Sequence, residues 1–416
     1  PARGVVERSL MKTRNLGPLS LLGLLVVSGA ALSACASTKT SDKTSDKPAP
    51  AAASSATPSS TAAAAPAKTP DASPAIGGYA ISDSQMLELG YRRDWTAFPY
   101  VAPGERVVFL APSRDAILVQ ESGSTVSALE PATGAVRWAN ELASPLTRFV
   151  SLSRQGERVL ASSDAELFIL SPVDGSILGR QRYERVVNTA PIVQTEAAVY
   201  GTRTGHLLSH RTGLGVTRWS FLLRGSIDRA PVVVSGSEDD AVIGVVAQSG
   251  DYLFVNARSG RPIGRGSIFG PIDTDPIAAQ GLMIVAGRDQ SLWALRTDGE
   301  VAWRIRTDQP LSRQPATDGT TVWCQLAGEG LSAVDAASGR ILWSNRVVEG
   351  SVIGIRSGNL LVWNGTLALL IDAQRGDIIR SYVLPDTRML ITDQFVDGNL
   401  YAVSDNGVVV RYVPRS

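Results

Sequence analysis

The sequence predicts an all-β protein: an eight-bladed β-propeller of four-stranded antiparallel blades, its ring closed by the N-terminal strand. Three observations lead there. A unit of about 40 residues recurs from residue 81 to the C-terminus. Each unit reads as short apolar runs broken by glycine turns, with no long helical period. The two ends of the repeat region also complement each other, as a ring requires.

Taken from the N-terminus, the 416 residues begin with an address rather than a domain. Met11-Lys12-Thr13-Arg14 supplies a basic start, Leu16 to Ala31 an apolar run, and Leu32-Ser33-Ala34-Cys35 a small-residue cleavage site. That order describes a secretory signal over residues 1–34, with Met11 the expected start. The run is too short for a comfortable membrane span. Residues 36–75 contain only Ala, Ser, Thr, Pro, Lys and Asp. Such a stretch buries too little apolar surface to offset chain entropy, so residues 35–80 are expected to form a disordered tether with a reach of roughly 35 Å.

From residue 81 onward the repeat dominates. Its best copies run Ala128-Leu129-Glu130-Pro131-Ala132-Thr133-Gly134-Ala135-Val136-Arg137-Trp138 and Ala333-Val334-Asp335-Ala336-Ala337-Ser338-Gly339-Arg340-Ile341-Leu342-Trp343. Weaker copies end at Gly179, Trp219, Gly264, Trp303 and Arg380, and Trp95 fills the same slot ahead of the first full unit. Eight such positions give eight blades, with seven the alternative count. A glycine four residues before the terminal position supports the hairpin that reverses the chain. The aromatic residues Trp95, Trp138, Trp219, Trp303 and Trp343 are expected to cover the seams between blades, burying large area on stiff side chains. The last run, Gly407 to Tyr412, reads as a third strand with no fourth after it. Leu87 to Trp95 reads as a fourth strand with no third before it, and pairing the two closes the ring.

Composition narrows the function. From residue 81 there are 32 Arg and no Lys against 35 acidic residues, so no bulk positive field exists to hold nucleic acid. Cys35 and Cys324 are the two cysteines and His206 and His210 the two histidines, which excludes a disulfide framework and an all-thiolate zinc site. Cys324 lies in an apolar strand and reads as a small buried hydrophobe. His206 and His210 are four apart on a strand, too far for shared ligation. Asp239-Asp240 and Asp273/Asp275 read as solvated loop acids. No catalytic motif of the Gly-x-Ser-x-Gly, Walker or His-Glu-x-x-His kind occurs. No catalytic residue, metal or cofactor is therefore expected.

Leu32 to Cys35 resembles the bacterial lipobox, which implies lipidation of Cys35. The Ala-x-Asp-x-x-Thr-Gly-x-x-x-Trp-like units are similar to the repeats of pyrroloquinoline-quinone-type propellers. Lipobox, tether and eight such blades together resemble the BamB family of outer-membrane assembly lipoproteins, over residues 81–416. Two segments extend the resemblance. Phe221-Leu222-Leu223-Arg224-Gly225 stands where that family carries a Leu-x-Leu-Arg-Gly loop for the barrel-assembly protein, and Ile272-Asp273-Thr274-Asp275-Pro276 is similar to an acidic segment one blade later.

The resemblance implies a monomeric, non-catalytic, lipid-anchored scaffold on the periplasmic face of the outer membrane. Phe221, Leu223, Arg224, Asp273 and Asp275 would be its partner-binding residues, and the β-barrel assembly machinery its partner. Two alternatives remain open at this stage, an envelope quinoprotein-like enzyme and a ligand-binding or sensor propeller, because repeats of this type host many roles.

Overall fold

The computed structural model describes Tyr79 and residues 81–415. The proposed signal, Cys35 and the tether lie outside these residues. Among the described residues, thirty-two strands form eight separate four-stranded antiparallel sheets. Seven blades take their strands consecutively from the chain. The first, for example, is Val107–Pro112, Ile117–Glu121, Thr125–Leu129 and Val136–Glu141. In the eighth, Thr387–Thr392, Leu400–Ser404 and Val409–Pro414 are completed by Tyr91–Ala97 from the other end of the chain. Arg93 pairs with Tyr412 and Trp95 with Arg411. The ring is closed, with eight blades rather than seven. One boundary differs from the sequence expectation: Leu87 and Glu88 belong to a short helix, Asp83–Glu88, and the closing strand starts only at Tyr91. Gly90, at φ +89°, makes the break between them.

Burial follows position in the blade. Second and third strands such as Ile117–Glu121 and Thr125–Leu129 are buried at every residue, because a neighbouring blade covers each face. Outer strands such as Ile177–Arg182 and Pro262–Ser267 alternate between partly and fully exposed. A sheet covered on both sides has no reason to alternate polar with apolar residues, which accounts for the weak period in the sequence. The apolar mass lies in the seams. Leu118, Val126 and Ala128 of the first blade pack on Val159, Phe168 and Leu170 of the second, and analogous clusters fill the other seams.

A single device recurs at five of these seams. The indole N–H of an outer-strand tryptophan donates to a backbone carbonyl in the next blade's last hairpin: Trp95 to Pro131 (2.8 Å), Trp138 to Pro172 (2.9 Å), Trp219 to Ala257 (3.0 Å), Trp303 to Ala336 (2.9 Å) and Trp343 to Ala373 (2.9 Å). Three residues beyond each carbonyl stands the repeat glycine, at positive φ, with its Cα against the indole face. A Cβ on Gly175 would sit 2.4 Å from Trp138.

The three slots without tryptophan use other means. After Gly179, Gln181 donates to the equivalent carbonyl, Thr212 O, at 2.6 Å. Gly264 packs directly on the backbone of the Thr297-Asp298-Gly299 turn. Arg380 pairs with Glu88 of the short helix at 3.1 Å, and Tyr382 donates to the same carboxylate.

Arg356, buried at the end of the seventh blade's inner strand, locks both chain ends. Its guanidinium donates to Gly90 O at 2.9 Å, to Asp397 at 2.7 Å and to Arg415 O. Replacing it removes three charge-assisted hydrogen bonds that tie these segments together. Arg356→Ala is expected to lower unfolding free energy by about 2–4 kcal/mol, read from urea denaturation. Gly175→Ala combines positive φ with a clash on Trp138 and is expected to cost about 2–3 kcal/mol in the same assay. An unchanged urea midpoint in either variant would refute its assigned role.

Candidate functional site

Antiparallel blades place two kinds of connection on each face of the ring. One face carries the hairpins joining second to third strands and the connections from each outer strand to the next inner strand. The segments 221–225 and 272–276 both lie on this face, at the ends of the third and fourth blades.

The first segment ends the outer strand Val216–Leu222. Trp219, Phe221 and Leu223 have the same strand parity and turn into the seam with Ile243, Val245 and Leu253. Leu223 is buried at 8% exposure and Phe221 is half-buried, so neither offers a free contact surface. Leu222, of opposite parity, is 67% exposed. Leu223 is thus the residue that seats the loop, and Leu222 the one that faces solvent.

Arg224 follows with its side chain 78% exposed but held at its guanidinium. Its Nε and Nη2 donate to the two oxygens of Asp251 at 2.8 and 2.6 Å, a bidentate fork on a side chain that is itself buried. Its carbonyl accepts from Ser249 Oγ at 2.7 Å. Gly225 lies at φ +75° close to the Ser249 backbone, so the turn requires glycine here. Hydrogen bonding from Arg224 holds the Asp251 carboxyl below the usual range against the opposing effect of burial.

On the far side of the Ala247–Asp251 hairpin, the next connection leaves Ile268 buried and Phe269 73% exposed, and Ile268 N donates to Gly250 O at 2.9 Å. Leu222, Arg224 and Phe269 are therefore all exposed on this face, Arg224 and Phe269 in the connections on either side of that hairpin and Leu222 on the opposite side of its strand, beside its pairing partner His206. Phe269 was not singled out from the sequence. Its signal was available, as a bulky aromatic in the connection after the Gly264 slot.

The acidic segment is bound into the face. Asp273 lies 3.5 Å from Arg288. Asp275 accepts from Ala230 N at 2.8 Å, and its backbone N and O bond the side-chain amide of Gln314, each at 3.0 Å. These bonds link three successive connections and fix their spacing. Thr274 and Pro276 are buried beneath them.

The remaining candidate residues are placed otherwise. Cys324 is buried, and burial pushes its thiol up to about 12, far from a thiolate at neutral pH. His210 is buried and bonds Gln181 at 2.8 Å, while half-buried His206 bonds Thr204 at 3.2 Å. Burial lowers the pKa of both. Among the described residues, no three His, Cys, Asp or Glu side chains converge as a metal would require.

Residues 122–277, 229–351 and 255–412 match the sequence model of the family described as outer membrane protein assembly factor BamB. Comparison with curated protein sequences gives no match. Among solved structures, the chain is similar to the crystal structure of BamB from Moraxella catarrhalis. Identity is 16% and the TM-score 0.59, covering 76% of this chain and 98% of that one. It is also similar to the computationally designed Ika8 protein, at 10% identity and a TM-score of 0.63, covering 77% and 99%. At such identities the two structures establish the fold alone.

The buried carboxylate sets a pH signature. A folded-state pKa below the ordinary value means Asp251 contributes stability above about pH 4, which is lost as pH falls through the folded value. Arg224→Ala removes the partner, so its destabilisation is expected to be constant from pH 5 to 8 and to shrink towards zero below pH 4. Urea midpoints measured across that range check this. A gap that stays open at low pH would rule the ion pair out as its cause.

Proposed function

Because the chain belongs to the family of outer membrane protein assembly factor BamB, we propose that it is a non-catalytic scaffold of outer-membrane assembly that holds a protein partner on one face of its ring. The finer reading is that the partner is the barrel-assembly protein and that it docks across the third and fourth blades.

The observation that carries this is an arginine, Arg224, held by Asp251 on the same face as the exposed apolar side chains of Leu222 and Phe269. An exposed arginine already fixed by Asp251, with exposed apolar side chains on the same face, suits a protein interface, since little of the arginine's side-chain freedom is lost on docking. Leu223 and Phe221 seat in the seam the segment that carries Arg224. Asp273 and Asp275 extend it along the face, and the Gln314 staple keeps the extension in register.

A lipidated Cys35 would anchor the protein at the membrane. Several acyl chains hold firmly where one binds reversibly, and the tether would let the ring reach a partner at the periplasmic face. No helix among the described residues is long and apolar enough to cross a membrane.

Co-purification from detergent-solubilised envelopes tests the reading. Leu222→Asp and Phe269→Asp should each reduce recovery of the barrel-assembly protein roughly tenfold or more. Val173→Asp, at an 81%-exposed position on the opposite face, should leave recovery unchanged. Urea midpoints verify that all three variants fold. Equal recovery with all three, or recovery lost only with Val173→Asp, would place the partner elsewhere.

A further inference from the structure

On the same face, beginning beside Leu222 and its strand partner His206, stand arginines that have no carboxylate partner among the described residues. The internal repeat shows what is missing. In the fifth blade, Ile272 bridges Gly287, and the residues that follow them, Asp273 and Arg288, form an ion pair. In the third blade Val187 bridges Thr202 in the same antiparallel manner, and the residues that follow are Asn188 and Arg203. A carboxamide stands in place of the carboxylate. Arg203 Nε donates to Asn188 Oδ1 at 3.4 Å, and Arg148 Nη1, from the preceding connection, donates to the same oxygen at 2.9 Å.

Two guanidiniums thus share one neutral acceptor, and their bonded nitrogens lie within about 6 Å of each other, where like charges repel. The amide cannot reverse to relieve this. Its Nδ2 donates to Asp228 Oδ1 at 2.6 Å and to Ile227 O, which holds Oδ1 towards the arginines. Asp228 is occupied by that bond and by Ser226 Oγ at 3.0 Å.

Arg185 adds a third charge beside His206, where it reinforces the lowering of the imidazole pKa that burial begins. Arg148, Arg185 and Arg203 are all exposed. Among the described residues, none of the three has a carboxylate within 4.0 Å. Asp164, in the second blade's hairpin, and Glu184, next to Arg185 in sequence, form no ion pair with them. Most of the five N–H donors on each guanidinium remain unused.

We propose that Arg148, Arg203 and Arg185 form a binding site for a phosphate oxyanion, with the Asn188 oxygen spacing the first two guanidiniums. A phosphate group offers several acceptor oxygens and up to two negative charges, which matches forked donors better than a single carboxylate does. The phosphate belongs either to a lipid headgroup or to free anion. The site is separate from the Arg224 group and does not depend on the docking reading.

Isothermal titration of the purified full chain tests this, with inorganic phosphate, glycerophosphoglycerol as a headgroup analogue, and polyglutamate as separate titrants. Inorganic phosphate should bind saturably, and Arg148→Gln/Arg203→Gln should weaken it roughly tenfold or more. Arg203→Lys should fall between the two, and Arg114→Gln, at an exposed arginine on the opposite face, should bind as the natural chain does. Glycerophosphoglycerol binding with the same dependence assigns the lipid source, and its failure beside bound phosphate assigns free anion. Absence of saturable phosphate binding, or equal binding by the double variant, overturns the proposal. Polyglutamate binding lost in the double variant without any phosphate binding overturns it in favour of an acidic protein segment.

Discussion

The ring depends on a contact made across each seam, in which an outer strand reaches the last hairpin of the next blade. Where that contact is Trp–carbonyl–glycine, three requirements coincide. The indole needs an acceptor for its N–H, the hairpin has a carbonyl free to accept, and the ring face needs a residue with no Cβ beneath it. Positive φ at the glycine serves the hairpin and clears the indole together. A blade alone would expose both apolar faces, so neighbours are obligatory. The seam contact fixes how far apart and at what rotation they stand. The short helix and Arg356 apply the same logic where the chain ends meet: Glu88 takes the place of a hairpin, and a buried guanidinium satisfies carbonyls from both ends.

This is why so much of the fold was legible. Tryptophan and glycine recur in the sequence because each is one half of a contact made repeatedly, so reading the repeat amounts to reading the seams. The weak copies at Gly179, Gly264 and Arg380 are weak because their seams are closed by Gln181, by a tight turn and by Glu88. Strand boundaries were legible only approximately. Leu87 and Glu88 have strand-like neighbours in sequence, but the helix they join is specified by contacts with residues nearly 300 positions away.

The candidate site was less legible, and strand parity explains where the reading went short. Leu222 and Leu223 are adjacent and identical, and a motif comparison weighs them by position rather than by face. Counting from Trp219, which must face the seam, puts Phe221 and Leu223 inside and Leu222 outside. Asp251, which orders Arg224, is 27 residues away in the next blade, and Phe269 reaches the same face only by that blade's return. Neither relation has a local signal. Both arise because the connections on one face of a ring come from different blades.

A repeat protein also supplies its own controls. Positions that are equivalent in the ring share backbone geometry, so a difference between them isolates the side chain. The bridges Val187–Thr202 and Ile272–Gly287 establish such an equivalence, and beyond it one blade keeps Asp273 against Arg288 while another sets Asn188 against Arg203. Stability alone gives no reason to remove a counter-ion and bring a second arginine to the same oxygen, because the paired version is already accommodated elsewhere in this fold. An exposed arginine can be left to water at little cost, but two that share an acceptor repel, and an external anion removes that repulsion. The departure from the internal pattern, rather than the presence of arginine as such, is what marks this part of the face as a place where something binds.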